Sequence, residues 1–323
     1  MIELIKKLMN ASSVSGREEK IREVIINEIK PYADTVDVDN MGNVIARKKG
    51  KNKKIMLCAH MDEIGFFVTC IDKNGFIRVS SVGGILPSSV AYSEVVSENG
   101  VYGVLSPEKD DTLKVENMFI DIGAKTKKQA ESKVKIGDFF VVKPSLRKLM
   151  NKRYVGRPFD DRIGCAILIE AMKKVKSEND LYFVFSTQEE VGARGAKPAA
   201  YAIGADIGIA FDVTRESTKP GSPSMEVEMG KGCAIKIKDS GVIASPTLVK
   251  EIREIAVNHK IKYQDEILLS GGTDASPMQV AGRGCRVSAI SIPSAYIHTG
   301  CEMIDMGDVE EAIKLTVAVA NEL

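Results

Sequence analysis

The chain has 323 residues, and its 45 Lys and Arg against 44 Asp and Glu leave a formal net charge of +1, so no overall charge draws it to nucleic acid or to an anionic membrane. Hydrophobic residues at 44% and charged residues at 28% give an ordinary globular balance, and the length suits roughly two domains of about 150 residues each. Aromatics are 6% with no Trp, which argues against a stacking platform for sugars or nucleobases.

Met1-Ile2-Glu3-Leu4-Ile5-Lys6-Lys7 lacks the apolar core of a signal segment, and no apolar run approaches the length of a membrane span. Cys58, Cys70, Cys165, Cys233, Cys285 and Cys301 are scattered without metal-finger spacing. They are expected to be buried free thiols, and the chain to be cytoplasmic.

Helical spacing covers Ile2 to Met9. Ser15 and Glu18 have capping-box spacing, and Ile21, Val24, Ile25 and Ile29 carry a helix to about Lys30. Thr35 to Asp39 alternates as a strand, Asn40 to Asn43 turns, and Val44 to Arg47 returns as its hairpin partner. Lys51 to Lys54 reads as a solvated basic turn. Ile55 to Ala59 is a continuous apolar run, the signature of an interior strand, and it ends in His60-Met61-Asp62-Glu63.

From Phe66 to about Pro144 the pattern changes to short strands with turns, among them Phe67–Ile71, Val101–Leu105, Phe119–Gly123 and Phe139–Val142. One short helix is expected near Lys127 to Ser132. This predicts a small β-sandwich or barrel, residues 66–156, inserted into a domain formed by 1–65 and 157–323. After Gly156 the α/β pattern resumes. Helices are expected at Ile163–Val175, Ser245–Asn258 with Pro246 in its first turn, and Asp308–Asn321. Strands are expected at Leu181–Phe185, Ala205–Phe211 and Arg286–Ile292. Strands alternating with helices imply an α/β fold with a mostly parallel sheet and helices on both faces.

The stretch Leu181 to Arg194 organises the chain. A buried strand ends in Glu189-Glu190, and Val191-Gly192-Ala193 reads as the opening of a helix. The pair by itself suits a solvated helix start. Other acidic and imidazole residues occupy comparable places: His60 and Asp62 after one strand, Asp160 and Asp161 before a helix, Asp212 after another strand, and His298 after the run Ser288–Ile292. Taken singly, Asp160-Asp161-Arg162 could be a helix cap and Asp212 a turn residue. His259, the third histidine, sits in a plain helical context. As an ordered set these residues converge on one edge of a doubly wound sheet. Two imidazoles among several carboxylates suit zinc, cobalt or manganese better than calcium or magnesium. So many anionic groups favour two ions, which at about 3.5–4 Å apart share one carboxylate and one water.

Ala59-His60-Met61-Asp62-Glu63-Ile64-Gly65, Phe159-Asp160-Asp161-Arg162-Ile163-Gly164, Gln188-Glu189-Glu190-Val191-Gly192, Phe211-Asp212-Val213-Thr214, Gly271-Gly272-Thr273-Asp274-Ala275 and Tyr296-Ile297-His298-Thr299 resemble, in order, the motifs of the M42 metallo-aminopeptidases. That family includes glutamyl and tetrahedral (TET) aminopeptidases. The resemblance runs from about Leu4 to Leu323. It implies a zinc-peptidase domain with an inserted barrel-like domain, and two divalent ions per subunit, zinc or cobalt, with manganese also suitable.

By the same resemblance His60 and Asp212 share one metal, Glu190 and His298 hold the other, and Asp160 bridges both. Glu189 is the general base that activates a water shared by the ions, and Asp62 orients His60. Gly271, Gly272, Thr273 and Asp274 line the substrate pocket. The substrates implied are short peptides with a free amino terminus, and the assembly a homo-oligomer, from a dimer through the insert to a tetrahedral dodecamer. Val82, Ile85, Leu86, Val90 and Val95 serve either the insert's own core or that interface. The chain departs from the family at Ala295 before Tyr296, at Ser106-Pro107-Glu108-Lys109 and around Gly83–Pro87.

Two further readings compete. Relatives have carried endoglucanase labels, and two carboxylates can hydrolyse glycosides. A non-catalytic assembly protein is the other, against which Glu189 stands.

Overall fold

Alternation along the interior strands builds both faces of the large sheet. In Lys54–His60, residues Ile55, Leu57 and Ala59 enter one core, while Met56 and Cys58 enter another on the opposite face. The strands Asp180–Ser186, Ile207–Arg215 and Arg286–Ala295 divide their side chains the same way. Strands that are apolar on both faces need helices on both sides. In the computed structural model, which describes residues 1–109, 113–222 and 225–323, the helices Ile2–Met9, Glu19–Ile29, Arg162–Met172, Pro246–Asn258 and Met306–Glu322 cover one face. Ala196–Ile203 and Ala275–Gln279 cover the other.

Those four strands are neighbours and mutually parallel within an eleven-stranded sheet. Their register sets the site. Ser186 lies opposite His60, Ala210 opposite Cys58, and Asp212 opposite Ser291. Antiparallel strands extend both sides: the hairpin Thr35–Val38 with Val44–Lys48, and Glu302–Asp305 with Arg153–Arg157 and Ser145–Lys148. Residues 145–148 and 153–156, grouped with the insert on the sequence, therefore pair into the large sheet.

The insert is a closed six-stranded barrel made by Gly65–Ile71, Ile77–Val82, Glu94–Ser97, Tyr102–Pro107, Met118–Asp121 and Phe139–Val142. Closure removes the free edges an open sheet of this length would present. Val90 and Val95 belong to the barrel core and Val82 to an adjoining cluster, whereas Leu86 is 64% exposed. Gly65 marks the entry to the barrel, since a Cβ there would lie 2.7 Å from the carbonyl oxygen of Phe140.

Several local expectations are corrected. Ser15 and Glu18 form no capping box: the helix begins at Glu19 without a side-chain cap, because the Ser15 hydroxyl donates to Asp62 and Glu18 accepts from Gly16 and Gln188. No helix opens at Val191. Positive φ at Gly192 and Ala193 turns the chain, and the helix begins at Ala196. The strands Cys233–Lys238 and Tyr263–Ile267 were hidden by their charges, yet Lys236 and Glu266 are buried against each other. All six cysteines are free; Cys58, Cys165 and Cys233 are buried, Cys285 is half-buried, and Cys70 and Cys301 are exposed. Among the described residues no helix is long and apolar enough to cross a membrane.

Candidate metal centre

The carboxyl ends of the parallel strands and the loops beside them bring the predicted residues together. His60 ends its strand, 2% exposed. Its Nε2 lies 3.1 Å from Asp160 Oδ1 and 3.9 Å from both Glu189 Oε2 and Asp212 Oδ1. His298, at φ +61°, directs Nε2 to within 3.1 Å of Asp160 Oδ2 and 3.2 Å of Glu190 Oε2. The two oxygens of Asp160 thus face two different imidazoles. His60, Asp160 and Asp212 offer ligand atoms all within 4.8 Å of one another, and so do Asp160, Glu190 and His298.

Each imidazole is held through its other nitrogen. His60 Nδ1 lies 3.1 Å from the Asp62 carbonyl oxygen and 3.5 Å from that residue's Oδ1. His298 Nδ1 lies 2.7 Å from the carbonyl oxygen of Gly84, a barrel residue. With Nδ1–H donating to a carbonyl, Nε2 is left as the electron-pair donor.

Asp62 does more than orient His60. Its Oδ1 accepts the Glu189 amide at 3.0 Å and its Oδ2 the Glu190 amide at 3.2 Å, with Ser15 Oγ donating to Oδ2 at 2.6 Å. One buried carboxylate therefore sets the backbone from which both glutamates project. Asp161, the neighbour of Asp160, caps the following helix by accepting from Gly164.

The electrostatics call for positive charge. Among the described residues no Lys or Arg pairs with Asp160, Glu189, Glu190 or Asp212. Burial pushes the Glu189 carboxyl well up, with Asp212, Asp274 and Glu190 adding to the rise and His60 opposing it. Burial and Asp160 likewise raise Asp212. Burial disfavours charge on His298, but Asp160 and Glu190 outweigh it and push that imidazole up to about 12. Glu190 Oε1 is buried with no hydrogen-bond partner. Two donor sets of nitrogen and carboxylate oxygen, short of cations and sharing Asp160, fit a pair of divalent ions.

Asp160, Glu189, Glu190, Asp212, His298, Gly271 and Gly272 line one cavity of about 440 Å³. Leu86 and Ser89 of the insert, and Thr214, Arg215 and Leu268 on the side of the large sheet, complete much of its wall. Thr273 and Asp274 do not line it; each is 2% exposed, and Asp274 accepts from Ser186 and Cys58 instead. Gly84, Ser15 and Glu18 were missed as parts of the site. Gly84 acts through its backbone, which carries no residue signature, and the Ser15–Glu18 spacing had a local helix-cap explanation.

Residues 42–315 match the description of the M42 glutamyl aminopeptidases. The chain belongs to that family. A putative aminopeptidase of Acetivibrio thermocellus is 45% identical over 98% of this chain and 97% of its own. Aminopeptidase APDkam598 of the archaeon Desulfurococcus kamchatkensis superposes with a TM-score of 0.96 at 36% identity, covering 100% of this chain and 94% of its own. The TET1 peptidase of Pyrococcus horikoshii, which can assemble into a tetrahedron or a large octahedral shell, gives a TM-score of 0.91 at 36% identity, covering 100% and 99%. Within this M42 chain the six ordered motifs supply both donor sets and part of the cavity wall.

Proposed function

We propose that this M42 chain is an aminopeptidase that removes amino-terminal residues from short peptides and uses two divalent ions, zinc or cobalt, with manganese also suited to the donors. The observation that carries this reading is Asp160, whose two oxygens each lie 3.1 Å from a different imidazole. His60, Asp160 and Asp212 would hold one ion, and Asp160, Glu190 and His298 the other. When bound, such ions supply Lewis-acid polarisation of the scissile carbonyl, a lowered water pKa and an anchor for the substrate's free amine.

The chain's own groups then have defined tasks. Glu189 belongs to neither donor set, and its Oε2 lies 3.9 Å from His60 Nε2 at the cavity wall. It is free to take a proton from the attacking water at a carboxylate oxygen and return it to the leaving amine. Asp62 holds Glu189 through its amide, so the base keeps its place while Glu190 serves as a ligand. Gly271 and Gly272 leave room beside the site for substrate backbone. The barrel, a separate domain in this reading, closes the other wall with Leu86 and Ser89.

A glycosidase needs no imidazole pair, and the cavity wall carries no Phe, Tyr or Trp among its described lining residues. A purely scaffolding role leaves the Glu189 geometry without purpose. Assembly follows the family, with the barrel pairing subunits into at least a dimer and up to a dodecamer. Six free cysteines suit the cytoplasm.

The deciding experiment is a panel of acidic, basic and aliphatic aminoacyl chromogenic substrates beside an amino-acetylated peptide and carboxymethylcellulose, with and without chelator. Cleavage only from free amino termini, lost on chelation, is expected. Cellulose hydrolysis that survives chelation overturns the reading.

A further inference from the structure

Three segments that carry the proposed ligands meet at one buried arginine. Arg157 ends the strand Arg153–Arg157, where the chain runs back from the barrel, and is 1% exposed. Its Nη2 donates to the carbonyl oxygen of Ile64 at 2.9 Å, four residues beyond His60. Its Nη1 donates to the carbonyl oxygen of Thr299 at 3.0 Å, directly after His298. The same Nη1 lies 3.5 Å from Glu302 Oε1. The other oxygen of Glu302 accepts the amides of Phe159 at 2.5 Å and Asp160 at 3.1 Å.

A second tie reinforces the first. Arg157 Nη2 lies 3.8 Å from Glu63 Oε2, and Glu63 Oε1 accepts from Arg162 at 3.1 Å. Arg162 opens the helix that follows Asp160-Asp161. None of the four charged residues lines the cavity, and all are buried. Buried ion pairs recover little net stability, because each charge loses its hydration. What a planar guanidinium does supply is a rigid fork of donors with fixed directions, which an ammonium group lacks. Two donor sets that share one carboxylate tolerate little drift among His60, Asp160 and His298, which lie far apart in the chain.

We propose that Arg157 is the positioning residue of the metal centre: by joining Ile64, Thr299 and Glu302 it holds the His60, Asp160 and His298 segments at the spacing two ions need. This rests on the two-ion reading above. Preorganised ligands bind a metal more tightly because the protein need not reorder to receive it, and partners one step behind the ligands typically contribute about 10–100-fold in affinity.

The test is Co(II) binding to the metal-free full chain, followed by equilibrium dialysis and by the visible ligand-field spectrum. Arg157→Lys keeps the charge and most of the volume but not the fork. It is expected to fold, by near-ultraviolet circular dichroism, yet to bind Co(II) about tenfold or more weakly with an altered spectrum. Glu302→Gln keeps an oxygen for the Phe159 and Asp160 amides and removes the charge facing Arg157. It is expected to move both readouts the same way by a smaller factor, and it decides alone should Arg157→Lys not fold. Affinity and spectrum unchanged in a folded Arg157→Lys protein, or in Glu302→Gln when it decides alone, overturn the proposal. A wild-type chain that binds no Co(II) instead sinks the two-ion reading beneath it.

Discussion

His298 donates from Nδ1 to the carbonyl oxygen of Gly84, 2.7 Å away, across the seam between the large sheet and the barrel. Ser89 of the barrel donates back to the His298 carbonyl oxygen at 3.2 Å. The insert therefore helps to aim an imidazole on the loop that follows the large sheet's strand Arg286–Ala295. Next to this contact Gly83 adopts φ +79°, and a Cβ there would lie 2.6 Å from Ile64 Cγ2 and 3.2 Å from Glu190 Cβ. Gly83→Ala is expected to cost about 1–2 kcal/mol through backbone strain and to displace Glu190, lowering kcat/KM with it. Thermal unfolding and steady-state kinetics check this; wild-type values in both would show that the seam tolerates movement.

Glu189 is outside both donor sets, so its removal separates proton transfer from ion binding. Glu189→Gln is expected to retain two divalent ions per chain by elemental analysis and to lose about 10²–10⁴-fold in kcat. Substantial turnover in that variant reassigns the base.

Loading ions into the metal-free protein should release protons. His298 is pushed up to about 12 and His60 is also raised well above its usual value, by Asp160 with Glu190 and by Asp160 with Asp62, against the effect of burial. The carboxylates around them thus favour a proton on each imidazole in the metal-free protein, and a metal must displace any proton held there. Titration of zinc into weakly buffered protein with a pH indicator is expected to show acidification that ends at two ions per chain. Saturation without proton release would contradict the assignment of both histidines as ligands.

Specificity should depend on Arg215, the one Lys or Arg among the described residues that line the cavity. It forms no ion pair with a described carboxylate. Arg215→Ala is expected to lower kcat/KM for acidic aminoacyl substrates relative to aliphatic ones by roughly tenfold, about 1.4 kcal/mol. Equal losses on both substrate types would place the guanidinium outside side-chain recognition.

Asp308 offers a pH test remote from the metal centre. Its carboxylate accepts the amides of Gly230 and Gly232, each at 2.7 Å, and burial still raises its pKa from 3.8 to about 6. The folded state therefore holds a proton that the unfolded chain has released. The stability this adds is complete below about pH 4 and is lost as pH rises through about 6. Urea unfolding from pH 4.5 to 7.5 should show wild type losing on the order of 2 kcal/mol relative to Asp308→Asn over that window. Parallel curves would exclude Asp308 as the source.

The strands that carry His60 and Asp212, and the one that leads into Glu189-Glu190, were legible because burial on both faces leaves a continuous apolar run that stops at the chemistry. Tyr263-Gln264-Asp265-Glu266-Ile267 was not legible as a strand. Its charges suit a loop, and only the meeting of Glu266 with Lys236 across neighbouring strands makes their burial tolerable. Ser15 and Glu18 misled for the opposite reason. A local cap explained their spacing, while their partners Asp62 and Gln188 lie 47 and 170 residues away.

By itself the sequence determined which residue types stand at the ends of which strands, and through six ordered motifs the family they belong to. Periodicity and motif order are properties of neighbouring residues, so one chain suffices to read them. Only the tertiary structure decided how those residues are held: Gly84 by its carbonyl, Asp62 by two amides, Arg157 by a fork reaching three segments. Backbone donors and acceptors are the same at every residue, and which of them meets a side chain a hundred residues distant is set by packing alone.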